Sequence, residues 1–361
     1  MTLLMDYFQP VGDSIARRPV IIFVHGGAYI SGSRTDSKVR EFCTRFSRRG
    51  YITSSIDYRL GVANLLSRTD FILAAYRGMQ DVKASVRYFR RPEVADSLRV
   101  DTTKIFLGGF SAGAFSALNA ACLEVSELPP EIDTTQLGNI EGNSGNPGHS
   151  SSVLALMNCW GGLFDTLFID PGDIPVISVH GTADPVVPYS SGISIFAGIY
   201  LYGSATINAR LRSLGIGSYL IPMPGVGHGF PSDPKQNSFW TDTTIVSTAA
   251  FFFPFVQPTA VAPVAHQQPE KLFLEQNFPN PFNPSTTIRY SLVITAHVRL
   301  TVFDVIGHEV RTLVDGVRQP GKKSVVWDGR DNSGRAVSSG VYLYRLAAGG
   351  PVLTNKLILL R

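Results

Sequence analysis

From Pro19 to Phe253, short runs of apolar and β-branched residues alternate with longer amphipathic stretches. Fully apolar runs separated by helix-length segments are typical of parallel strands that helices cover on both faces. The pattern therefore predicts an α/β fold with a mostly parallel sheet and helices on both faces. The predicted strands are 20–24, 51–56, 104–107, 153–158, 174–179 and 219–221, and the predicted helices are 38–48, 74–90, 112–123 and 207–214.

The pattern changes after Phe253. Residues 254–270 contain four prolines among small and polar residues, which predicts an extended linker. Residues 271–361 contain alternating apolar and polar runs, broken by Gly, Asn and Asp, and no helix-length segment. We therefore predict a first domain over 1–253, a linker, and a small all-β, Ig-like sandwich over 271–361. The predicted strands of the sandwich are 285–292, 298–305, 323–327, 340–346 and 354–360.

The composition narrows the class of protein. The chain is 44% hydrophobic and 17% charged, and its net charge of +4 is spread along the sequence rather than gathered in basic blocks, which argues against a nucleic-acid partner. No apolar run approaches the roughly 20 residues of a membrane span, so we predict a soluble chain. Three cysteines cannot form a disulfide framework, although one bridge stays open.

The segment Gly109-Phe110-Ser111-Ala112-Gly113 lies between a predicted strand and a predicted helix. A serine hydroxyl is a poor nucleophile until a base takes its proton, so it must be exposed on a sharp turn with a histidine in reach. Glycines two positions before and two after the serine leave that room. In this strand–turn–helix context the segment predicts a catalytic nucleophile, Ser111, rather than a plain glycine turn.

An acid and a histidine follow Ser111 in the chain order of a Ser-Asp-His hydrolase. Asp184 follows a predicted strand closely, at the edge of the sheet where sites collect, and Asp165 is the alternative acid. His228 follows the last predicted strand in a glycine-rich loop and is predicted to be the base. His180 ends the strand that delivers Asp184, so it is too close to that acid to be its partner across strands.

The segment His25-Gly26-Gly27-Ala28-Tyr29 follows the first predicted strand. Its small residues allow backbone N–H groups to approach an oxygen that gains negative charge during reaction. We predict Gly27, Ala28 and Ala112 as the donors of this oxyanion hole.

Four aromatic residues flank these motifs or strand ends: Tyr29, Phe110, Trp160 and Phe230. They are predicted to line an aromatic substrate pocket, and the alternative for each is plain core packing. Residues 128–152, rich in Pro, Gly, Asn and Ser, are either a cap over the substrate or a disordered surface loop.

The first 253 residues resemble secreted α/β-hydrolase carboxylesterases, including the type-B and hormone-sensitive-lipase-like groups and the bacterial feruloyl and acetyl-xylan esterases. The resemblance implies the α/β-hydrolase fold, Ser111, His228 and Asp184 as a triad, and backbone donors at Gly27 and Ala28. The matching residues are His25 to Tyr29, Asp57 to Gly61, Gln80-Asp81, Gly109 to Gly113, and the Asp184 and His228 loops.

The last 90 or so residues contain four motifs in order: Gln276 to Pro284, Val302 to Gly307, Trp327 to Gly329 and Gly340 to Leu346. In these motifs they are similar to type IX secretion sorting domains, which stand at the C-termini of surface and secreted proteins of Bacteroidetes and related phyla. The resemblance implies the secretion machinery as a partner and an extracellular or cell-surface location. Such cargo needs a signal peptide, so we expect the natural N-terminus to lie upstream of Met1.

The sequence thus predicts a secreted serine carboxylic ester hydrolase that works through an acyl-enzyme and needs no metal or cofactor. Its predicted substrates are short-chain, feruloyl or acetyl esters, or polymeric esters such as polyesters. Two alternatives stay open: a serine peptidase of the prolyl-oligopeptidase type, and a surface-binding protein whose hydrolase domain is inactive.

Overall fold

The computed structural model describes residues 2–12, 15–62, 64, 67–143, 145–195, 198–256, 272–292, 295–318, 321–348 and 352–361. The chain divides into two compact units, Met1–Val256 and Gln257–Arg361. Across these described ranges, no helix combines the length and the apolar character that crossing a membrane requires.

The first unit alternates strands and helices. Its strands are β1 (Met5–Phe8), β2 (Arg18–Val24), β3 (Ile52–Ile56), β4 (Val100–Phe110), β5 (Leu156–Cys159), β6 (Val176–Gly181), β7 (Ser191–Ile193), β8 (Tyr200–Tyr202) and β9 (Ser218–Met223). Its α-helices are α1 (Ser37–Ser47), α2 (Arg68–Phe89), α3 (Pro92–Leu98), α4 (Ala112–Cys122), α5 (Thr134–Leu137), α6 (Ser204–Ser213) and α7 (Pro234–Val256), with short 3₁₀ helices at Val125–Glu127 and Thr166–Phe168.

Seven of these strands form one sheet in the order β1-β3-β2-β4-β5-β6-β9. The strands from β3 to β9 in this order run parallel, while β1 pairs antiparallel with β3. Because β3 lies on one side of β2 and β4 on the other, the strand order reverses between β2 and β4. Open α/β sheets bind ligands at such a switch point, outside the carboxyl ends of the strands.

Strand β2 shows why the predicted strands are fully apolar. Successive side chains of a strand point to opposite faces of the sheet. Val20, Ile22 and Val24 join the core formed with α2, α4 and α6, whereas Ile21 and Phe23 join the core formed with α1 and α7. All five side chains are inaccessible to solvent. Helices on both faces therefore bury the strand completely, as the sequence predicts.

Helix α7 has no counterpart among the predicted helices. Its buried positions include Thr241, Thr244, Ile245, Thr248 and Phe252, a spacing of three, four and seven residues that marks one helical face. Threonines carry much of that face, so a search for apolar periodicity does not detect it. The helix continues through Pro254 to Val256, three residues past the predicted domain end, and residues 257–270 of the predicted linker lie outside the described residues.

The three cysteines of the chain, Cys43, Cys122 and Cys159, are buried and unpaired. The bridge that the sequence leaves open is therefore not formed. Burial raises the pKa of the Cys43 thiol to about 12, so this thiol is not a nucleophile at neutral pH.

The second unit is made of antiparallel strands in two sheets, and the side chains of both sheets share one apolar core around the fully buried Trp327. The predicted β-sandwich is thus present, with two strands, β10 and β13, that the sequence did not predict. The strands are β10 (Phe273–Leu274), β11 (Thr286–Leu292), β12 (Ala296–Phe303), β13 (Glu309–Arg318), β14 (Gly321–Trp327), β15 (Gly340–Ala347) and β16 (Leu353–Leu359), in the orders β10-β11-β14 and β13-β12-β15-β16.

The proline-rich segment from Gln276 to Pro284, which precedes β11, is part of this sandwich. The buried Asn277 donates from Nδ2 to Pro279 O at 3.0 Å, and Asn280 Oδ1 accepts from the backbone N–H of Ile358 at 2.8 Å. The ring of Phe282 packs 5.5 Å from that of Trp327. This segment therefore packs against one edge of the core and is hydrogen-bonded to β16.

Candidate active site

Ser111 lies at the turn between β4 and α4, with a backbone φ of 51° and ψ of −122°. A non-glycine residue with positive φ costs about 1–3 kcal/mol and persists only where its surroundings hold it. Here the N–H of Ser111 donates to Cys159 O at 2.9 Å, and its carbonyl accepts from the N–H of Phe115 at 2.9 Å. The turn thus presents the Ser111 hydroxyl at the carboxyl end of the sheet.

The two flanking glycines have a steric cause. A Cβ atom on Gly109 would lie 2.4 Å from the Cα of Ala114 in helix α4. A Cβ atom on Gly113 would lie 2.3 Å from the carbonyl oxygens of Val24 and His25 at the end of β2. Both distances are far below van der Waals contact with backbone atoms. A side chain at either position would therefore push α4 away from the sheet.

The structure brings Ser111, His228 and Asp184 into one hydrogen-bonded chain. Asp184 follows β6, and His228 follows the neighbouring strand β9. His228 Nε2 lies 2.8 Å from Ser111 Oγ, and His228 Nδ1 lies 2.8 Å from Asp184 Oδ2. Because Nδ1 faces a carboxylate, it carries the ring proton, which leaves Nε2 free to accept the proton of the serine.

The carboxylate of Asp184 is buried and saturated with hydrogen bonds. Its Oδ1 accepts from the backbone N–H groups of Val186 at 2.8 Å and Val187 at 3.0 Å. Its Oδ2 accepts from His228 and from His180. Burial by itself raises the pKa of this carboxyl, but the hydrogen bonds from His180 and His228 outweigh it and lower the pKa well below its usual range. Asp184 is therefore ionised at neutral pH.

His180 also contacts Asp184, from its own strand rather than across strands. Its Nε2 lies 3.1 Å from Asp184 Oδ2 and 2.9 Å from Val187 O, and its Nδ1 lies 2.7 Å from Ser204 Oγ. The sharp turn after β6 folds the aspartate back toward the strand end, so four residues of separation suffice for contact. The sequence contained one sign of this contact: a histidine stands at the end of an apolar strand, four positions before the acid.

Asp165, the alternative acid, has another role. Its Oδ1 accepts from the backbone N–H of Leu167 at 2.9 Å and caps the 3₁₀ helix Thr166–Phe168. It makes no contact with His228 among the described hydrogen bonds. Asp165 therefore stabilises a turn and is not the acid of the triad.

Two of the three predicted oxyanion donors, Ala28 and Ala112, line the same pocket as Ser111. Gly27 and Ala28 form the turn after β2, with φ of 112° and 52°, and Ala28 lines the same pocket as Ser111 and Ala112. Ala112 is the first residue of α4, where backbone N–H groups have no acceptor within the helix. The use of these backbone N–H groups as an oxyanion hole stays a prediction.

A buried layer supports this turn from behind. The ring of His25 stacks on that of Tyr58 at 4.4 Å, and the Tyr58 hydroxyl donates to His25 O at 3.1 Å. Asp57, next to it, accepts from the backbone and the guanidinium of Arg34 at 2.7 and 2.8 Å. Tyr58 and Asp57 therefore hold the glycine turn and the chain that follows it in place.

A small pocket opens beside Ser111. Phe71 and Phe115 form one wall, and Val186, Val187 and Leu201 form much of the other, with Ser194 as a polar neighbour. None of these was predicted. Phe115 comes from α4, and the others come from α2, the Asp184 loop and the β7–β8 hairpin, which only the folded chain brings to Ser111.

The four predicted pocket aromatics lie elsewhere. Tyr29 is fully buried behind the glycine turn and donates to Ala112 O at 2.9 Å, so its predicted role as a pocket wall is wrong. Phe110, 5% exposed, belongs to the core under the sheet, and its predicted role is wrong as well. Trp160 packs edge-on against His228 at 6.5 Å and against Phe230 at 4.7 Å. Trp160 therefore lies beside His228, with Phe230 next to it. A role of these two residues in substrate binding stays a prediction.

The segment 128–152 is held along helix α2. Glu131 pairs with Arg68 at the start of α2, and Glu141 pairs with Lys83 at 3.0 Å and Arg87 at 2.8 Å further along it. None of its described residues lines the pocket beside Ser111. The predicted cap is therefore not observed in the described part of the segment.

Comparison with known families gives two matches. The BD-FAE family model matches residues 5–161, which include Ser111 and the glycine turn but not Asp184 or His228. The model of the FlgD Ig-like domain matches residues 284–350. Gut esterase 1 of Caenorhabditis briggsae is 33% identical over 98 residues, 27% of this chain. The match spans 17% of the length of that relative.

Solved structures extend the comparison to the fold of the first unit. Thermogutta terrifontis esterase 2 phosphorylated by paraoxon matches with a TM-score of 0.52 and 24% identity, over 72% of this chain and 92% of that one. The same esterase with propionate bound matches with a TM-score of 0.51 and 23% identity, over the same shares. These likenesses confirm the predicted fold: an α/β-hydrolase sheet followed by an all-β, Ig-like domain.

Proposed function

We propose that this protein is a serine carboxylic ester hydrolase. The observation that carries the proposal is the chain of two 2.8 Å hydrogen bonds from Ser111 through His228 to the ionised Asp184. A serine on a strained strand–helix turn with a correctly oriented imidazole is equipped for acyl transfer.

The residues divide the reaction between them. His228 Nε2 takes the proton of Ser111 as Oγ attacks the ester carbonyl carbon, and the carbonyl π electrons move to its oxygen. Collapse of this intermediate breaks the bond to the alcohol, which leaves with the proton from His228. Water then attacks the acyl-enzyme by the same route and frees Ser111 and the acid. Asp184 stabilises the imidazolium in both halves.

The negative oxygen needs donors that are already in place. The N–H groups of Ala28 and Ala112, with Gly27 beside them, are suited to this role because their backbones are fixed by the turn after β2 and the start of α4. Loss of one such donor costs about 10²–10³ in kcat in other hydrolases.

The acyl group is proposed to enter the pocket beside Ser111. Its wall of phenylalanine, valine and leucine side chains suits a short apolar acyl chain. Support comes from the BD-FAE match and from Thermogutta terrifontis esterase 2, which was solved with propionate bound. Feruloyl esters and polymeric esters are the finer alternatives within the same chemistry.

The test is hydrolysis of a panel of p-nitrophenyl esters from acetate to longer chains, with methyl ferulate, a polyester film and a prolyl p-nitroanilide. We expect the wild type to prefer short acyl chains and Ser111→Ala to lose at least about 10³-fold in kcat. Ser213→Ala, at an exposed serine of α6, is the matched control and retains activity. Cleavage of the anilide alone would favour a peptidase, and no turnover at all would favour an inactive binding protein.

We also propose that the second unit directs export to the cell surface or medium. The proposal is supported by the ordered series of sorting-domain residues and by an Ig-like match over 284–350. The test is expression of the full chain behind an export signal in a bacterium with type IX secretion and in a mutant without it. Surface or medium activity in the first strain alone supports the proposal, and equal activity in both strains contradicts it.

A further inference from the structure

We propose that His180 is a positioning residue of the active site, which holds the Asp184 carboxylate toward His228 by donating to the same oxygen. This inference rests on the proposed function of the triad. The contact joins His180 Nε2 and Asp184 Oδ2 at 3.1 Å, and the side chains of both residues are inaccessible to solvent.

The proton of His180 has a defined place. Its Nε2 faces two acceptors, Asp184 Oδ2 and Val187 O, so the ring proton must lie on Nε2. A single N–H thus binds both ends of the loop from Asp184 to Val187. The backbone N–H of Val187 in turn donates to Asp184 Oδ1, so loop and carboxylate hold each other in one orientation.

Buried polar residues fix the other side of the ring. Asn158 Oδ1 accepts from Gly161 N–H at 2.9 Å, which directs its Nδ2 to Ser204 Oγ at 3.0 Å. Because Ser204 Oγ accepts there, its hydroxyl proton is free to donate to His180 Nδ1 at 2.7 Å. A chain of hydrogen bonds therefore runs from Asn158 through Ser204 and His180 to Asp184, and each residue donates to the next.

Sharing one carboxylate oxygen between two imidazoles has a chemical consequence. Two donors on Oδ2 spread its negative charge, so removal of His180 leaves the carboxylate to bind the imidazolium of His228 more strongly. The base then stays protonated to higher pH, and Asp184 gains freedom to turn away. The titratable groups that face this pair are His228 and Tyr189, whose ring packs edge-on against His180 at 5.8 Å.

The experiment compares three variants with the wild type. His180→Leu fills the space without a donor, and His180→Gln restores an N–H at a similar reach. Ile177→Ala, on the same strand but in the core of the opposite face, is a matched control for lost stability. For each protein we measure kcat, KM, melting temperature and the pH profile of kcat/KM with p-nitrophenyl acetate, and the rate at which paraoxon phosphorylates Ser111.

We expect His180→Leu to lose about 10- to 100-fold in kcat with little change in KM, and the acid limb of its profile to move up by roughly half a pH unit. His180→Gln is expected to recover most of the rate and the wild-type profile. Ile177→Ala is expected to melt at lower temperature with an unchanged profile.

The opposite results are equally distinct. Wild-type kcat and profile in His180→Leu would overturn the inference, as would equal losses in His180→Leu and Ile177→Ala with no shift of the profile. Phosphorylation of wild-type Ser111 without ester turnover would overturn the proposed function alone, and the pH profile of phosphorylation then tests His180. A wild type that neither reacts with paraoxon nor hydrolyses esters would overturn both.

Discussion

The two halves of the candidate site are held by different forces. On the serine side, formed by the ends of β2 and β4 and the start of α4, backbones approach so closely that Gly109 and Gly113 have no space for a Cβ. On the acid side, formed by the loop after β6, the Asp184 carboxylate accepts four hydrogen bonds. Steric fit fixes the nucleophile, and polar pairing fixes the acid.

The difference predicts two kinds of mutational damage. A side chain added to a glycine on the serine side displaces α4 and therefore lowers stability and activity together. A changed donor or acceptor on the acid side leaves the packing intact, so its losses of stability and activity come from unpaired polar groups and altered charge, and they depend on pH. Four changes test this contrast.

The largest effect is expected from Asp184→Asn, which alters polarity without altering size. Oδ1 faces two backbone N–H groups and Oδ2 faces two imidazoles, so either orientation of the amide turns its NH₂ group toward donors. We expect kcat to fall about 10⁴-fold and stability by about 1–3 kcal/mol. Activity assays and denaturant unfolding measure both, and retention of a tenth of wild-type kcat would contradict the role of Asp184.

On the serine side, Gly113→Ala is the matching change. Its Cβ would meet backbone oxygens at 2.3 Å, so α4 and Ser111 must move. We expect a loss of about 1–3 kcal/mol in stability and about 10²-fold in kcat. Gly217→Ala is the control, because its Cβ would make ordinary contact with Pro175 at 3.5 Å. Equal stability of the two variants would disprove the steric account.

A smaller effect is expected from acidification. The pKa of Asp184 is lower in the folded state than in the unfolded chain, so its contribution to stability is complete above its ordinary pKa of about 4 and decreases as the pH falls below it. The stability gap between the wild type and Asp184→Asn should therefore narrow from pH 6 to pH 3. Thermal unfolding across this range measures the gap, and a constant gap would contradict the assignment.

The smallest effect is expected from Tyr58→Phe. The change removes the hydroxyl that donates to His25 O but keeps the stacked ring. We expect a cost of about 1 kcal/mol and a two- to fivefold lower kcat, with an unchanged pH profile. Steady-state kinetics across pH measures both parameters. A shifted profile would place this residue with the acid side instead.

The sequence by itself determined the layers of the fold and three members of the site. Burial on both faces forces apolar strands such as β2, and the positions of Ser111, Asp184 and His228 after their strands follow from chain order. The structure joins these three by hydrogen bonds, as expected from parallel strands that end at one edge. Local sequence was enough to identify these three residues because each lies in the loop or turn just after its strand.

Tertiary structure alone decided the pocket wall, the support of the acid and the place of the aromatics. Phe71 and Leu201 meet beside Ser111, and Ser204 meets His180, only after helices and hairpin have packed. Tyr29, next to the glycine turn in sequence, points into the core. Sequence neighbours tell which residues share a turn, but side-chain direction and long-range contact depend on packing that the whole chain determines.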